Sequence, residues 1–369
     1  MKINPKFVTA LRHCTTVEEL RPLVQNAIEL EHATIPPYLC GYFTLKPGHG
    51  MSEFNKNAAE VIRSVVIEEM LHLTIAANLL ISIGGKPAIN SPDFVPTYPG
   101  DLPMGIGDNL QIHLRKCSIG QVLNTFMAIE EPEDPIDIPK GVSAMAAVHP
   151  ELPEFDTIGA FYHFLSMKIG ELGDGIFVPG GGTQVLARRW FPEEADLFPI
   201  TDVASAQKAI EVIVEQGEGS HTDPFDGDGL PAHYYRFEEI VKGRKLEHAP
   251  GKKPPYRYSG DPVYLDPNDV WDMDDDPAIA KYKPGSFSRR ICEQFSYTYT
   301  HMLGSLHDAF NGQPERLDDA MGIMYELRLI SQQVLETPAE WADPGETAQK
   351  QTGLSFEYQP LNLAPFDPD

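Results

Sequence analysis

Residues 52–83 carry the longest run of helical hydrophobic periodicity in the chain. Ser52 is a suitable N-cap, and the Gly-Gly-x-Pro sequence at 84–87 ends the pattern. Apolar residues recur at steps of three and four, and Glu69 and His72 fall on the same face of the predicted helix. A carboxylate and an imidazole on a buried face need partners, so this helix predicts polar groups inside a helical core.

Further periodic segments predict a mostly α-helical fold built on four core helices. Residues 86–117 are rich in Pro, Gly and Asp and indicate a long crossover, with a short strand at 110–114. Pro36 and Pro37 should kink or open the first core helix. The core helices are predicted at 22–44, 52–83, 118–131 and 157–172, with further helices at 203–217 and 231–243.

Three regions are expected along the chain. Residues 16–245 form the helical bundle with its insertions, and residues 246–285 form an irregular acidic linker. Residues 286–369 form a C-terminal helical hairpin and tail packed on the bundle. A Met-rich stripe on this hairpin is most simply explained as part of the hydrophobic core.

The spacing Glu-x-x-His lets two donor groups on neighbouring helical turns converge on one cation. With 12 histidines, about one such motif is expected by chance, and three occur. The motif at 29–32 shares its face with polar residues and is predicted to be mainly exposed, while that at 218–221 lies at a Gly-rich helix end. Only the motif at 69–72 lies in a continuous apolar stripe.

Two other helices each place one carboxylate in an apolar row, at Glu31 and Glu130. Taken singly, either glutamate could be a helix-end acid or half of an interior ion pair. Taken together with Glu69 and His72, they supply what a metal-binding helical bundle requires. Metal ligation is therefore the favoured interpretation of the four residues.

The fourth core helix offers His163 but no carboxylate, because Ala160 stands three residues before it. His163 is equally well explained as a ligand and as an ordinary histidine at the polar edge. Glu215 and His233 could complete the site from outside the four helices as additional catalytic or metal-binding groups. For Glu215 a position on the polar face of its helix, with no role in the site, is favoured, since it lies in a polar helical stripe.

Several segments resemble the ferritin-like domain of violacein- and rebeccamycin-type iminophenylpyruvate dimer synthases. They are residues 30–39 (LEHATIPPYL), 68–80 (EEMLHLTIAANLL), 83–87 (IGGKP), 126–133 (FMAIEEPE), 157–162 (TIGAFY) and 353–358 (GLSFEY). The resemblance implies a ferritin-like four-helix bundle with a long crossover and additional C-terminal helices. It also implies Glu31, Glu69, His72 and Glu130 as metal ligands. Those synthases are far longer chains with haem-associated chemistry, and this chain matches only their ferritin-like part, so it gives no support for haem.

Composition limits the binding partners and the cellular location that can be expected for this chain. The chain has 29 Lys and Arg against 54 Asp and Glu, a net charge of −25, which disfavours nucleic acid. It has no signal-peptide pattern, no apolar run of membrane-spanning length and four scattered cysteines, so we expect a cytoplasmic protein with reduced thiols. Association into a homo-oligomer stays open.

The sequence therefore favours, without establishing, an oxidoreductase. It would hold iron, with two ions expected and manganese as the alternative, and would use dioxygen on a small organic substrate in specialised metabolism. Tyr38, Tyr42 and Tyr162 would line its pocket. A ferroxidase or metal-storage protein is the alternative, followed by a binding scaffold without catalysis.

Overall fold

The structure is a computed structural model that describes residues 5–46, 53–106, 110–132, 135–138, 158–219 and 223–360. These residues form a mostly helical protein with one small sheet. The helices are α1 (Pro5–His13), α2 (Val17–Thr44), α3 (Glu53–Ser82), α4 (Ile119–Ile129), α5 (Ile158–Leu172), α6 (Val203–Glu218), α7 (His233–Lys242), α8 (Phe287–Phe310) and α9 (Arg316–Glu336). The strands are β1 (Arg244–His248) and β2 (Tyr256–Pro262).

Helix α2 begins five residues earlier than the sequence predicted. The side chain of Thr16 caps it by accepting a hydrogen bond from the backbone N–H of Glu19, 3.3 Å away. Pro22 lies within the helix on an exposed position, where water can satisfy the carbonyl that the proline leaves unbonded. The predicted start of this helix at residue 22 is therefore wrong.

The two consecutive prolines do not interrupt α2, although a kink or an opened turn was predicted there. The helix is continuous through Pro36 and Pro37, both of which are buried. Residue 37 would normally donate its N–H to the carbonyl of Ala33, and a proline cannot do so. The hydroxyl of Tyr98 donates to that carbonyl instead, at 3.2 Å. A side chain from the crossover thus supplies the missing donor.

Helices α2 and α3 pack against each other, as do α5 and α6. The short helix α7 packs against α3, α4 and α6, which brings its first residue towards the middle of the bundle. Helix α4 approaches α2 closely at Gly41, where an added Cβ would lie 2.6 Å from Cζ of Phe126. Glycine at this position therefore sets the spacing between the two helices.

The region 246–285 was predicted to be irregular, and the structure corrects this for its first part. Strands β1 and β2 form an antiparallel hairpin in which Leu246 pairs with Tyr258 and His248 with Tyr256. The three apolar members Leu246, Tyr256 and Tyr258 are buried together against α7 residue Tyr235. The strand predicted at 110–114 is not formed among the described residues, where Ile112 makes one isolated bridge to Gly100.

Helices α8 and α9 pair as the C-terminal hairpin and also contact α3 and α2, respectively. One continuous hydrophobic core runs from Leu11 to Phe356 and includes residues of the hairpin. Helix α3 is long and apolar enough to cross a membrane, yet 78% of its most apolar window is buried within the fold. Such burial is what a core helix requires.

Candidate metal centre

Five buried polar side chains meet inside the bundle. They come from separate elements: Glu31 from α2, Glu69 and His72 from α3, Glu130 from the end of α4 and His233 from the start of α7. The Glu-x-x-His spacing places the α3 pair on adjacent turns of one face, as its periodicity predicted.

Helix α4 reaches this cluster through an irregular turn. Residues Val122–Phe126 form a π-helical turn between two short α-helical pieces, and Glu130 follows as the C-cap residue. A π turn inserts one extra residue into the helical ladder and so shifts the face on which later residues lie. The turn therefore helps to set the direction in which Glu130 leaves the helix.

The two histidines each approach two carboxylates. Nδ1 of His72 lies 3.6 Å from Oε2 of Glu31 and 3.8 Å from Oε1 of Glu69. Nδ1 of His233 lies 2.8 Å from Oε1 of Glu69 and 3.6 Å from Oε2 of Glu130. The imidazole rings stack with 5.4 Å between their centroids. Glu69 is thus shared by the two halves of the cluster.

The outward-facing nitrogen of each imidazole has a partner outside the cluster. Nε2 of His72 lies 3.0 Å from Oε1 of Gln216, and Nε2 of His233 lies 2.9 Å from Oε2 of Glu68. Arg236 holds Glu68 through a 2.8 Å contact from its Nη1. Because an amide oxygen and a carboxylate accept hydrogen bonds, both imidazoles donate from Nε2, which leaves Nδ1 facing the cluster carboxylates. Loss of the Nδ1 proton would make that nitrogen available to a cation.

Each of the three carboxylates accepts a hydrogen bond from a buried or neighbouring hydroxyl. The pairs are Thr34 Oγ1 with Glu69 Oε2 at 2.7 Å, Tyr38 with Glu130, and Tyr162 with Glu31. Burial, together with the carboxylates, raises the pKa of Tyr38 and of Tyr162, so both phenols remain protonated donors. These hydroxyls fix one oxygen of each glutamate.

Charge and burial act against each other in the cluster. Burial and the neighbouring charge of Glu130 raise the pKa of Glu69. Burial opposes protonation of His72 and His233, but the adjacent glutamates outweigh it and raise the pKa of both imidazoles. Burial likewise opposes ionisation of Glu68, but His233 and Arg236 lower its pKa to about 2. Without a cation, protons on the imidazoles offset the carboxylate charge.

The donor set fits a transition metal. Nδ1 of His233 is buried and has no hydrogen-bond partner of acceptable geometry among the described residues, although a carboxylate oxygen lies close by. One ligand atom from each of Glu69, His72 and His233 lies within 4.8 Å of the others. Carboxylate oxygens with imidazole nitrogens suit iron or manganese, and paired carboxylates with Glu-x-x-His are the ligand pattern of dimetal bundles.

Two predicted site residues lie away from the cluster. His163 is exposed on α5, with its ring centroid 6.0 Å from that of Phe164, and the neighbouring Tyr162 points inward instead. Glu215 is exposed on α6, and its neighbour Gln216 faces His72. In both cases the helix presents the adjacent residue to the cluster, so the structure removes His163 and Glu215 from the set of close donors.

Sequence reasoning missed the outer partners Glu68 and Gln216. Glu68 is displaced by one residue from the apolar face of α3, and only the packing of α7 brings His233 to it. His233 and Arg236 lie one helical turn apart in the sequence, and this spacing could have indicated that both side chains contact the same carboxylate.

The other two Glu-x-x-His motifs do not join the cluster in the described structure. His32 is buried rather than exposed as predicted, with Nε2 2.6 Å from the hydroxyl of Tyr299 and its ring against Phe94. Because Tyr299 is 267 residues from His32 in the sequence, the periodicity of α2 alone could not predict that His32 is buried. His221 lies outside the described residues.

A cavity of about 20 Å³ adjoins the cluster. It has room for about one water molecule. It is lined by residues of α2, α3, α5 and α6 and of the end of α4, including Glu31, Tyr162 and Glu218. The sequence predicted a pocket lined by Tyr38, Tyr42 and Tyr162, and of these three residues Tyr162 alone lines this cavity.

Comparison with known proteins agrees with this architecture. A family model described as ferritin-like matches residues 24–242, and the chain therefore belongs to the ferritin-like family. A ferritin-like protein from Caulobacter vibrioides has a similar fold, with 20% sequence identity and a TM-score of 0.55 over 86% of this chain and 97% of that one. No curated protein matches the chain. The ferritin-like fold includes di-iron oxidases.

Proposed function

We propose that this protein is a metal-dependent oxidoreductase that reduces dioxygen at the buried carboxylate and histidine cluster. The observation that carries the proposal is the orientation of His72 and His233. Nδ1 of His72 faces Glu31 and Glu69, and Nδ1 of His233 faces Glu69 and Glu130. Nε2 of each ring is held from outside the cluster, by Gln216 and Glu68, respectively. Metal-binding histidines are oriented in this way by an outer partner on the second nitrogen.

Iron is the proposed metal, with manganese as the alternative. Glu31, Glu69, His72, Glu130 and His233 would hold it, and two ions are proposed because paired carboxylates with Glu-x-x-His are the donor set of dimetal bundles. When bound, reduced iron would supply electrons to dioxygen. Of the additional ligands proposed for a second ion, only His233 reaches the cluster.

The surrounding residues have roles of their own in this proposal. Tyr38 and Tyr162 hold protons within hydrogen-bond reach of Glu130 and Glu31, respectively. Arg236 fixes Glu68, which in turn fixes the ring of His233. The narrow cavity restricts water at the centre.

A small organic substrate, in specialised metabolism, is the proposed reductant. The resemblance of residues 30–39, 68–80 and 126–133 to iminophenylpyruvate dimer synthases supports it. The C-terminal hairpin packed on the bundle adds protein around the core helices, as an enzyme with an enclosed site requires. We place the reaction in the cytoplasm, which the four free, buried cysteines support.

The size of the cavity favours a second candidate function, that of a ferroxidase. A volume of about 20 Å³ admits dioxygen or water but no organic molecule without rearrangement. In a ferroxidase the metal itself is the substrate, so no larger cavity is needed.

Anaerobic loading with ferrous iron followed by exposure to dioxygen tests these functions. If the protein is an oxidoreductase, the wild type and His163→Ala should oxidise iron rapidly, and Glu69→Ala should lose this reaction. Oxygen uptake that exceeds the iron present, sustained by small organic molecules, would support the enzyme. Uptake limited to the iron present would support the ferroxidase. A wild-type site that stays reduced in air would contradict both.

A further inference from the structure

A second cavity lies between the bundle and the C-terminal hairpin. Its larger chamber, of about 190 Å³, lies among residues of α2, α3 and α9 and the segment at Trp190 and Phe191. Its smaller chamber, of about 40 Å³, lies among residues of α2, α3, α8 and α9. We call the two chambers together the hairpin cavity. They share no lining residue with the cavity at the metal cluster.

The two chambers adjoin each other. Both are lined by Met70, Phe191, Met321 and Met324. His32 lines the smaller chamber and Tyr42 the larger one, and ten residues of α2 span about 15 Å at 1.5 Å per residue. The hairpin cavity is therefore elongated rather than round.

The lining is chemically suited to an aliphatic chain. Methionines at the junction of the chambers are flexible and adapt to the shape of an apolar ligand. Leu73, Leu303 and Leu306 line the smaller chamber. For scale, an apolar cavity of about 150 Å³ is large enough to bind benzene. The Met-rich stripe that sequence analysis assigned to the core thus lines a cavity as well.

Positive charge lies at the larger chamber only. Arg63 and Arg328 line it, and both are exposed. Among the described residues neither makes an ion pair, while the guanidinium of Arg328 lies 5.2 Å from the ring centroid of Tyr42. In a chain with a net charge of −25, two arginines at one chamber that have no carboxylate partner within the described part of the chain favour an anionic ligand.

We propose that the hairpin cavity binds a medium-chain aliphatic carboxylate. Its carboxylate lies at Arg63 and Arg328, and its chain of about eight to ten carbons extends past Met70, Met321 and Met324 into the smaller chamber. This site is independent of the metal centre and of the function proposed for it.

Isothermal titration calorimetry on the full chain tests the proposal, with octanoate as the probe and 1-octanol as its uncharged analogue. We expect octanoate to bind at one site per chain and to change the fluorescence of Trp190, which lines the larger chamber. Arg63→Gln/Arg328→Gln should weaken octanoate binding about tenfold and change 1-octanol binding less than twofold. The matched variant Arg289→Gln/Arg290→Gln, with both changes outside the cavity lining, should leave octanoate affinity unchanged.

Substitutions that fill the cavity provide a second test of the proposal. Met324→Trp should abolish binding of both probes, and Met321→Phe serves if the first variant does not fold. No octanoate binding to the wild type at millimolar concentration would overturn the proposal. So would binding that persists unchanged in the arginine and cavity-filling variants. A wild-type dimer that Met324→Trp dissociates, without octanoate binding, would assign the surface to a second copy of the chain and also overturn it.

Discussion

His72 and His233 reach the metal centre by different routes, and only the first could be placed from local sequence. His72 lies three residues after Glu69 on an apolar helical face, so periodicity alone points it inward. His233 lies at the first turn of α7, and tertiary packing brings it to Glu69. Sequence therefore identified it as a candidate but could not choose it over His163 or Glu215.

The two misplaced candidates share one physical cause. Tyr162 and Gln216 occupy the inward positions that metal ligation by His163 and Glu215 would have required. One residue along an α-helix is a rotation of about 100°. Periodicity in a short amphipathic helix does not fix its rotation to that accuracy, because packing against the other helices decides it.

The first prediction concerns which side chains hold metal. Glu69→Ala, His72→Ala and His233→Ala should each reduce bound transition metal at least about tenfold, since each removes a donor from a buried cluster. His163→Ala and Glu215→Ala are the matched controls and should retain wild-type metal, because both residues are exposed. Elemental analysis of the purified variants, with helical content checked by circular dichroism, measures the difference. Equal metal in all five would contradict the assignment.

The second prediction concerns pH. The glutamates raise the pKa of His72 and His233 in the metal-free protein, so both imidazoles hold a proton more tightly than a free histidine does. A metal must displace these protons, and its apparent affinity should rise with pH by about threefold to tenfold per unit between pH 6 and 8. Competition with a chelating indicator, corrected for the titration of the indicator, measures this slope. An affinity that is flat or falls with pH would be inconsistent with imidazole ligation.

At the scale of elements, helical periodicity predicted most of the architecture. Helices α2, α3, α5 and α8 were all anticipated, and their ends followed capping and breaking residues. The hairpin of β1 and β2 was missed because its buried alternation at Tyr256 and Tyr258 is short and lies in a Pro- and Gly-rich segment. The π turn in α4 leaves no local sequence signature.

The uninterrupted helix at Pro36 and Pro37 gives the third prediction. Tyr98→Phe removes the hydroxyl that satisfies the carbonyl of Ala33, and we expect it to lower the free energy of unfolding by about 1–2 kcal/mol. Adding Pro37→Ala restores a backbone N–H to the helix and should recover most of that loss. Urea unfolding of the wild type, both single variants and the double variant measures the coupling.

A matched control separates this effect from general loss of a tyrosine hydroxyl. The hydroxyl of Tyr358 also makes one hydrogen bond, 3.2 Å to Oδ1 of Asn90, at a similarly half-buried position. Pro37→Ala should not rescue Tyr358→Phe. A double variant of Tyr98 and Pro37 that is no more stable than Tyr98→Phe would show that the hydroxyl does not replace the missing helical donor.

For the whole molecule, the cluster connects elements that are far apart in sequence. Glu31 and His233 belong to helices that begin more than 200 residues apart, and α7 meets the bundle largely around this site. A metal bound there would link α2, α3, α4 and α7. Its binding energy would therefore stabilise the folded chain against unfolding as well as prepare the site.

The fourth prediction follows from that linkage. Metal at about one hundred times its dissociation constant stabilises the folded state by about 2.7 kcal/mol, so reloading the chelator-treated protein should raise its Tm by about 3–4 °C. Differential scanning calorimetry of the two forms measures the shift. His233→Ala should show a much smaller rise, whereas His163→Ala should behave as the wild type. A wild-type Tm that does not respond to metal would argue against a site buried in the core.

The central claim is that the five buried side chains bind a metal, and anomalous diffraction from crystals of the iron-loaded protein tests it most directly. Data collected on either side of the iron absorption edge locate the metal without reference to any assumed ligand. We predict an anomalous peak bounded by Glu69, His72 and His233, with Glu31 and Glu130 at its edge. A peak elsewhere in the molecule, or none at these residues in crystals that contain iron, would contradict the account.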